Sequence, residues 1–190
     1  MFEVLVDGEV WREASRQILG RALSSLKNCE TLSDLEEAYQ RLEKAGARRY
    51  LFRCLARQSY SSGELSKKLQ ERNVSSVATL TTIQELEEEG YLDDKRVCES
   101  FVERCIAKGL APYAIKRKLQ ERGIKSETIR EVVSVYESQD FQKERIKALL
   151  EKKFKVSQSS NEKEKGRVIR SLLRKGYPLS LVFEVINRVS

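Results

Sequence analysis

This sequence lacks the residue patterns by which catalytic and phosphate-binding sites are commonly recognised. Its 190 residues include no histidine, which excludes the usual nucleophile–histidine triads and most zinc sites. The phosphate-binding patterns GxxxxGK[ST] and GxGxxG are also absent. Two acidic clusters, Glu87–Glu89 and Asp93–Asp94, offer carboxylates for magnesium, but adjacent acids on a helix point in different directions. We interpret them as a solvated helix end followed by a helix cap, and we expect no enzyme, no cofactor and no metal site.

The positions of the cysteines and the hydropathy of the chain indicate the cellular compartment of the protein. Cys29, Cys54, Cys98 and Cys105 form no CxxC pair, and all but Cys29 fall on apolar helix positions, so we expect buried free thiols. No apolar run approaches the roughly 20 residues that a membrane span needs, and Met1–Val10 is unlike a signal peptide because it alternates and carries acids. We expect a cytoplasmic monomer with no membrane association.

Basic residues are unevenly distributed along this chain. The formal net charge is +7, but residues 1–46 carry −3, so the remaining residues carry +10. A basic body with an acidic leader indicates a polyanionic partner such as nucleic acid, or an acidic protein groove, and solubility is the alternative explanation. Nine cations near three similar helix ends are the candidate contact residues. They are Lys67, Lys68, Arg72, Arg117, Lys118, Arg122, Arg170, Arg174 and Lys175.

The helices that carry these cations end in the same way three times. Leu69–Val74 returns as Leu119–Ile124 and again as Leu172–Tyr177. In each copy, Asn or Gly stands just past the helix, where the backbone turns left-handed, and the next residue is apolar. In such a cap the apolar residue folds back onto the third helical residue from the end. We therefore expect the first and last residues of each hexapeptide to pack together.

The apolar positions that precede these endings recur with offsets of 50 and then 53 residues, so that Leu65 corresponds to Ile115 and Ile115 to Val168. Each unit holds three amphipathic helices, and a period of this size is typical of helical-repeat proteins. We predict an all-α fold: an elongated tandem array of three three-helix repeats, preceded by a small leader. The predicted divisions are 1–46 for the leader and 47–92, 93–138 and 139–190 for the repeats.

Local signals place the elements of the leader. Phe2–Val6 and Glu9–Trp11 alternate around an Asp-Gly turn, which predicts a short hairpin and the only sheet. Two helices follow, Ala14–Leu26 and Leu32–Ala45, and the second is capped by Thr31 or Ser33 and ends at Gly46.

Further signals mark the repeats. Ser61 and Glu64 form a capping box for the second helix of the first repeat. Asp93–Asp94 and Ser126 are predicted to cap helices of the second repeat. Lys155–Lys165 is a polar low-complexity stretch and is expected to be a mobile loop. The third helix of the first repeat is expected to bury Val77, Leu80, Ile83 and Leu86.

Helical geometry divides the candidate cations into two sets. At 100° per residue, Lys67, Arg117 and Arg170 project away from the buried stripe of their helices, and we predict that they form a binding face. A second set flanks the stripe, where the helix dipole and the burial of aliphatic stems explain a basic residue. It consists of Lys68, Arg72, Lys118, Arg122 and Lys175. A structural role is favoured for that flanking set, and partner contact remains open.

Four motifs in the body of the chain are shared with one known family. They are Ser61-x-x-Glu64-Leu65-x-x-Lys68-Leu69, Gly90-Tyr91-Leu92-Asp93-Asp94-x-Arg96, Phe101-Val102-x-x-Cys105, and Lys108-Gly109 leading to Ile115-x-x-x-Leu119-x-x-x-Gly123-Ile124. With these motifs the sequence resembles the RecX family, whose members regulate the bacterial recombinase RecA. The resemblance covers about Ala47 to Arg188. One departure is Val97-Cys98, where the family usually has Phe-Ala, a conservative change for a core helix.

The resemblance implies a regulator of three helical units that binds RecA filaments in their groove and inhibits ATPase and strand exchange, in the setting of recombination, DNA repair and the SOS response. It also implies non-specific affinity for single- and double-stranded DNA, and no catalysis. One alternative is a helix-turn-helix transcription factor, but its third helices would need base-reading side chains where this chain carries mainly Val, Ile, Ser and Glu. An enzyme would need a nucleophile or metal cluster that the sequence lacks.

Overall fold

A computed structural model describes residues 1–154 and 162–189, and helices dominate both ranges. The chain forms two compact units, the first covering Met1–Asp94 and the second beginning at Lys95. Within the described ranges the only sheet is an N-terminal hairpin, and no helix there is long and apolar enough to cross a membrane. The all-α class with a small N-terminal hairpin is thus confirmed, whereas the division into a leader and three repeats stays a prediction.

The hairpin consists of the antiparallel strands β1 (Phe2–Val6) and β2 (Glu9–Ala14). Its turn residues Asp7 and Gly8 both have positive φ, 51° and 89°. A two-residue hairpin turn of type I′ requires this conformation, and Asp-Gly adopts it readily. The predicted hairpin is confirmed, and β2 extends three residues beyond Trp11.

The first predicted helix of the leader, Ala14–Leu26, is wrong. Ser15 caps a short helix α1 (Arg16–Leu19), and a 3-10 segment (Gly20–Asn28) replaces the rest. Gly20 has φ 54° and ψ −133°, which are far from helical values and interrupt the α-helix.

Helix α2 (Leu32–Leu55) begins as predicted and ends later than predicted. Thr31 and Asp34 form a capping box at its start. The helix does not stop at Gly46. A Cβ at Gly46 would lie 2.1 Å from the carbonyl oxygen of Ile18 in α1, so the glycine permits close approach of two helices rather than a chain reversal. The predicted boundary after residue 46 falls inside this helix.

Eight helices follow α2 in the described ranges. Glu162–Lys165, predicted as part of a mobile loop, belong to the first of the two helices after residue 161, whereas residues 155–161 of that loop lie outside the described residues. The helices are α3 (Ser62–Gln70), α4 (Ser76–Glu88), α5 (Asp94–Ala107), α6 (Pro112–Glu121), α7 (Ser126–Val133), α8 (Gln139–Leu149), α9 (Glu162–Arg174) and α10 (Leu179–Val189).

Three predicted helix caps have different outcomes. The capping box of α3 is confirmed, because the amide of Glu64 donates to Ser61 Oγ at 3.2 Å and the amide of Ser61 donates to the Glu64 carboxylate at 3.0 Å. Ser126 is not a cap, since α7 has Lys125 in that position without a side-chain hydrogen bond. The carboxylate of Asp94 is used elsewhere: it accepts hydrogen bonds from the amide and the hydroxyl of Ser62 at 2.8 and 2.6 Å.

The predicted core face of α4 is partly wrong. Ile83 and Leu86 are buried, but Val77 and Leu80 are 74% and 69% exposed. Residues spaced by three drift around a helix, and nine residues at 100° each place Val77 on the opposite side from Leu86. The helix instead buries a narrow face that includes Ala78, Thr79 and Thr82.

The three predicted helix endings share one geometry and are confirmed. The apolar residue after each cap donates its amide to the carbonyl oxygen of the paired leucine: Val74 to Leu69 at 3.1 Å, Ile124 to Leu119 at 3.2 Å, and Tyr177 to Leu172 at 3.2 Å. All six of these residues are buried. The cap residues Asn73, Gly123 and Gly176 have φ of 52°, 75° and 91°. This is the Schellman arrangement, in which a hydrophobic contact closes the helix end.

Each of the three hydrophobic cores that the described residues form contains the buried residue pair of one helix ending. The first unit has one core, and Trp11 of the hairpin packs edge to face on Tyr39 of α2 with 5.2 Å between ring centroids. The second unit has two cores, formed by α5 to α7 and by α8 to α10. A backbone hydrogen bond from Ala111 to the carbonyl of Lys175 at 2.8 Å joins the start of α6 to the end of α9.

We expect Gly46→Ala to destabilise the first unit by about 1–3 kcal/mol, because the new methyl group overlaps the Ile18 carbonyl. Urea unfolding measures the effect, followed by the fluorescence of Trp11 for the first unit and by circular dichroism for both units. Gly166→Ala in α9 is the matched control: its Cβ would meet only the flexible tip of Arg170 at 3.6 Å, so helix propensity should stabilise that variant by about 0.5–1 kcal/mol. Equal effects at the two positions would contradict the packing role of Gly46.

Gly123→Val and Gly176→Val test the shared helix ending. Each places a β-branched side chain at positive φ, and we expect a loss of about 1 kcal/mol or more in urea unfolding monitored by circular dichroism. Gly176→Val should cost more, because its Cβ would lie 2.7 Å from the Cβ of Ala114. Unchanged stability in both variants would mean that the repeat register is wrong.

Candidate functional site

Two acidic residues near the end of α4 form ion pairs with basic residues of α2. The ammonium of Lys44 lies 2.5 Å from Glu85, and the guanidinium of Arg48 lies 2.5 Å from Glu89. The hydrogen bond from Arg48 lowers the pKa of Glu89. Since Asp94 is also engaged with Ser62, these carboxylates serve packing between helices. Among residues 1–154 and 162–189, no group of three or more His, Cys, Asp or Glu side chains is arranged to hold a metal ion.

All four cysteines carry free thiols. Cys98 and Cys105 are buried in α5, whereas Cys29 and Cys54 are half-buried. Burial raises the pKa of the Cys105 thiol, which keeps it protonated and unreactive at neutral pH. The expected burial is confirmed for Cys98 and Cys105, whereas Cys54 is only partly buried against the first core.

The structure places the three outward cations on equivalent exposed positions of α3, α6 and α9. Each of these cations is exposed. Each lies two residues after a buried residue and two residues before the leucine of the helix ending, as is seen for Lys67, Arg117 and Arg170. Arg117 lies 3.5 Å from Glu121, and both side chains are about two-thirds exposed, so this ion pair is weak and easily replaced by a partner. That the three cations share one continuous face stays a prediction.

Arg72, one of the flanking cations, has a structural role. Its guanidinium lies 4.3 Å from the ring centroid of Tyr50 and donates to the Lys68 carbonyl and to the side chain of Gln17, both at 2.8 Å. Burial raises the pKa of Tyr50 to about 12, and the nearby Arg72 opposes this shift. The arginine therefore caps the last turn of α3 and covers an aromatic ring of α2.

Other flanking cations also pack against their own unit. Lys68 lies 4.9 Å from the ring centroid of Tyr60, and Arg122 lies 5.0 Å from that of Phe101. The ammonium of Lys175 donates to the carbonyl of Lys108 at 2.8 Å. Lys118 is half-buried, whereas Arg174 is exposed and in this respect resembles the outward cations.

Sequence reasoning overlooked Tyr113, which is 72% exposed in the first turn of α6. A signal for it was present: with Ile115 and Leu119 buried, residues 113 and 117 lie on the outer face of the same helix. The structure thus adds an aromatic ring to the face that carries Arg117.

Helix α4, the third helix of the first predicted repeat, does not suit base reading in a DNA groove. Helix α4 contains no lysine or arginine and presents Val77 and Leu80 together with Glu87 and Glu88. On α7, Glu131 is exposed and paired with Lys95. A recognition helix must enter the major groove between phosphates. There, the exposed acidic residues would be repelled by the phosphates, and the exposed apolar residues would make no polar contact.

The fold defines a class of all-α protein built from three-helix domains. Residues 93–133 match the family model of the second three-helix domain of RecX, and residues 141–186 match that of the third. The regulatory protein RecX of Pseudomonas savastanoi pv. phaseolicola is 29% identical over 140 residues, or 74% of this chain and 89% of the relative. That of Acinetobacter baylyi is 29% identical over 139 residues, covering 73% and 84%.

Solved structures agree in fold. The crystal structure of RecX from Lactobacillus salivarius has a TM-score of 0.64 at 22% identity, covering 77% of this chain and 96% of that one. A second crystal structure of regulatory protein RecX has a TM-score of 0.66 at 18% identity, covering 97% and 92%. The chain belongs to the RecX family of regulatory proteins, as its motifs predicted.

The contrast between Arg72 and Lys67 gives a prediction. We expect Arg72→Ala to lower the free energy of unfolding by about 1–2 kcal/mol, because it removes the contact with Tyr50 and the bond to the Lys68 carbonyl. Lys67→Ala, on the exposed side of the same helix, should change it by no more than about 0.5 kcal/mol. Urea unfolding followed by Trp11 fluorescence compares the two, and equal losses would contradict the division between structural and exposed cations.

Proposed function

We propose that this protein binds nucleoprotein filaments of the recombinase RecA and inhibits their ATPase and strand-exchange activities, and that it thereby modulates homologous recombination and DNA repair. The observation that carries the proposal is the exposed cation at the same position of α3, α6 and α9, in a chain that belongs to a family of regulatory proteins. The protein would act by occupying the filament as a cytoplasmic monomer, without chemistry of its own.

A filament suits such a surface because it repeats. A cation from each of several units contributes a modest electrostatic attraction, and contacts within one molecule reinforce each other once the first has formed. The opposing groups would be DNA phosphates or acidic side chains of the filament. Lys67, Arg117 and Arg170 are the proposed contacts, and Arg174, one helical turn after Arg170, adds a fourth exposed charge.

We also propose weak, non-specific binding of single- and double-stranded DNA. Residues 47–190 carry a formal charge of +10, so counterion release should supply most of the affinity and make it steeply dependent on salt. The absence of lysine and arginine from α4 disfavours the transcription-factor alternative, because a recognition helix needs groups that reach phosphates and base edges.

Co-sedimentation with ATP-loaded RecA filaments on single-stranded DNA tests the proposal. We expect the wild-type protein to sediment with the filaments and to inhibit strand exchange. Replacing Lys67, Arg117 and Arg170 by Glu changes their summed charge from +3 to −3 and should reduce both effects at least about tenfold. The fold should persist in circular dichroism, since exposed substitutions cost within about 0.5 kcal/mol each.

A triple variant of equal charge change serves as control. Arg16, Arg57 and Arg130 are exposed and lie outside the proposed set, and their replacement by Glu reverses the same charge. We expect this control to retain most of the filament binding. Full inhibition by the Lys67, Arg117 and Arg170 variant, with its helix content intact, would contradict the assigned contacts, and a wild-type protein that never sediments with filaments would overturn the function.

A further inference from the structure

Helix α6 carries an exposed aromatic ring, Tyr113, that is not part of a hydrophobic core in the described ranges. The chain has seven tyrosines, and Tyr113, at 72% exposure, is the one whose ring makes no aromatic, cationic or hydrogen-bond contact among the described residues. Each of the other six is buried or packed. Tyr39 and Tyr177 are buried, Tyr50 and Tyr60 lie beneath Arg72 and Lys68, and Tyr91 and Tyr136 contact Phe52 and Phe141.

The backbone beneath this ring is held firmly. Pro112 begins α6 and is buried, and Ile115 is buried on the inner side of the same turn. The preceding residue, Ala111, is fully buried and its amide donates to the carbonyl of Lys175. Since only two side-chain torsions of Tyr113 remain free, ordering the ring against a ligand costs little conformational entropy.

Positive charge surrounds the exposed ring. Between residues 112 and 122 the chain has four cations and one acid. Lys116 is paired with Glu137 at 2.6 Å, which leaves Arg117, four residues after Tyr113, as the exposed cation on the same face. Its contact with Glu121 is long and exposed, so a phosphate can replace it.

An exposed ring with a cation one helical turn away matches the chemistry of a single-stranded nucleotide. A base offers a π-face to the ring, and its phosphate offers a negative charge to the guanidinium. Bases inside a duplex are already stacked on their neighbours and cannot reach the ring. The ligand favoured by this arrangement is therefore a single strand.

We propose that Tyr113 and Arg117 form a binding site for one nucleotide of single-stranded nucleic acid, in which Tyr113 stacks on the base and Arg117 contacts the phosphate. The site deepens the proposed function and rests on it, because single-stranded DNA lies within the proposed target. It is confined to the middle repeat: the positions equivalent to Tyr113 are Gly63 and Gly166, although a cation follows four residues later in each.

The test compares affinities of the full-length protein for two oligonucleotides, a thymine strand and an abasic strand of equal length and charge. We expect the wild type to prefer the thymine strand, and Tyr113→Ala to lose about tenfold on that strand alone, the size of one lost base–aromatic stack. Tyr113→Phe keeps the ring and should bind like the wild type. Arg117→Gln should weaken binding to both strands and reduce the salt slope by about 0.7, the contribution of one phosphate contact on a single strand.

Two outcomes would overturn the site. One is unchanged affinity of a folded Tyr113→Ala for the thymine strand, and the other is an equal loss on the thymine and abasic strands. If the first outcome is accompanied by loss of sedimentation with filaments, Tyr113 contacts protein instead of a base. Filament binding by the wild type is scored separately, so the stacking site can fail while the proposed function stands.

Discussion

The architecture depends on one small arrangement at the helix ends, a left-handed residue followed by an apolar one whose amide returns to the helix. It closes α3, α6 and α9, and it recurs where Gly90 follows α4 and Gly109 follows α5, with the amides of Tyr91 and Leu110 donating to the carbonyls of Leu86 and Cys105. The cap satisfies carbonyl groups that the helix leaves open and fixes the direction in which the chain departs. At the ends of α3, α6 and α9 the residue just past the turn is buried in the same core as its helix, so these three endings also set which face of the helix is inward.

Carboxylates provide a second kind of junction, between residues distant in sequence. Glu43, 2% exposed on α2, accepts hydrogen bonds from the amide and hydroxyl of Ser75 at the start of α4. Asp94 does the same for Ser62 at the start of α3. A negative group is favourable at a helix N-terminus, and hydrogen bonds to a charged acceptor are worth about 1.5–3 kcal/mol. Of the acids that the sequence offered for a metal site, Asp94 takes part in one of these junctions.

The cations on these helices are of two kinds, those that pack within the protein and those that remain exposed. The angular position of a cation around its helix decides which kind it is. Those beside the buried stripe reach across to an aromatic ring or a terminal carbonyl, as Arg72 does with Tyr50 and Lys68. Those opposite the stripe remain exposed, as Arg117 and Arg170 do. The basic composition therefore overstates the charge that a partner can engage freely. A binding surface made of a few exposed cations on rigid helices favours several modest contacts over a single deep pocket.

The sequence by itself determined the features whose causes lie within about six residues: the hairpin turn at Asp7 and Gly8, the capping box of Ser61 and Glu64, and the repeated helix endings. It also predicted the exposure of Lys67, Arg117 and Arg170, since helical periodicity decides that locally. Only the tertiary structure decided that α2 continues through Gly46, that α4 turns Val77 and Leu80 outward, and that Asp94 serves α3. In each of these cases the deciding group, such as the Ile18 carbonyl beside Gly46, comes from a distant part of the chain, and no local pattern shows which surface will lie opposite.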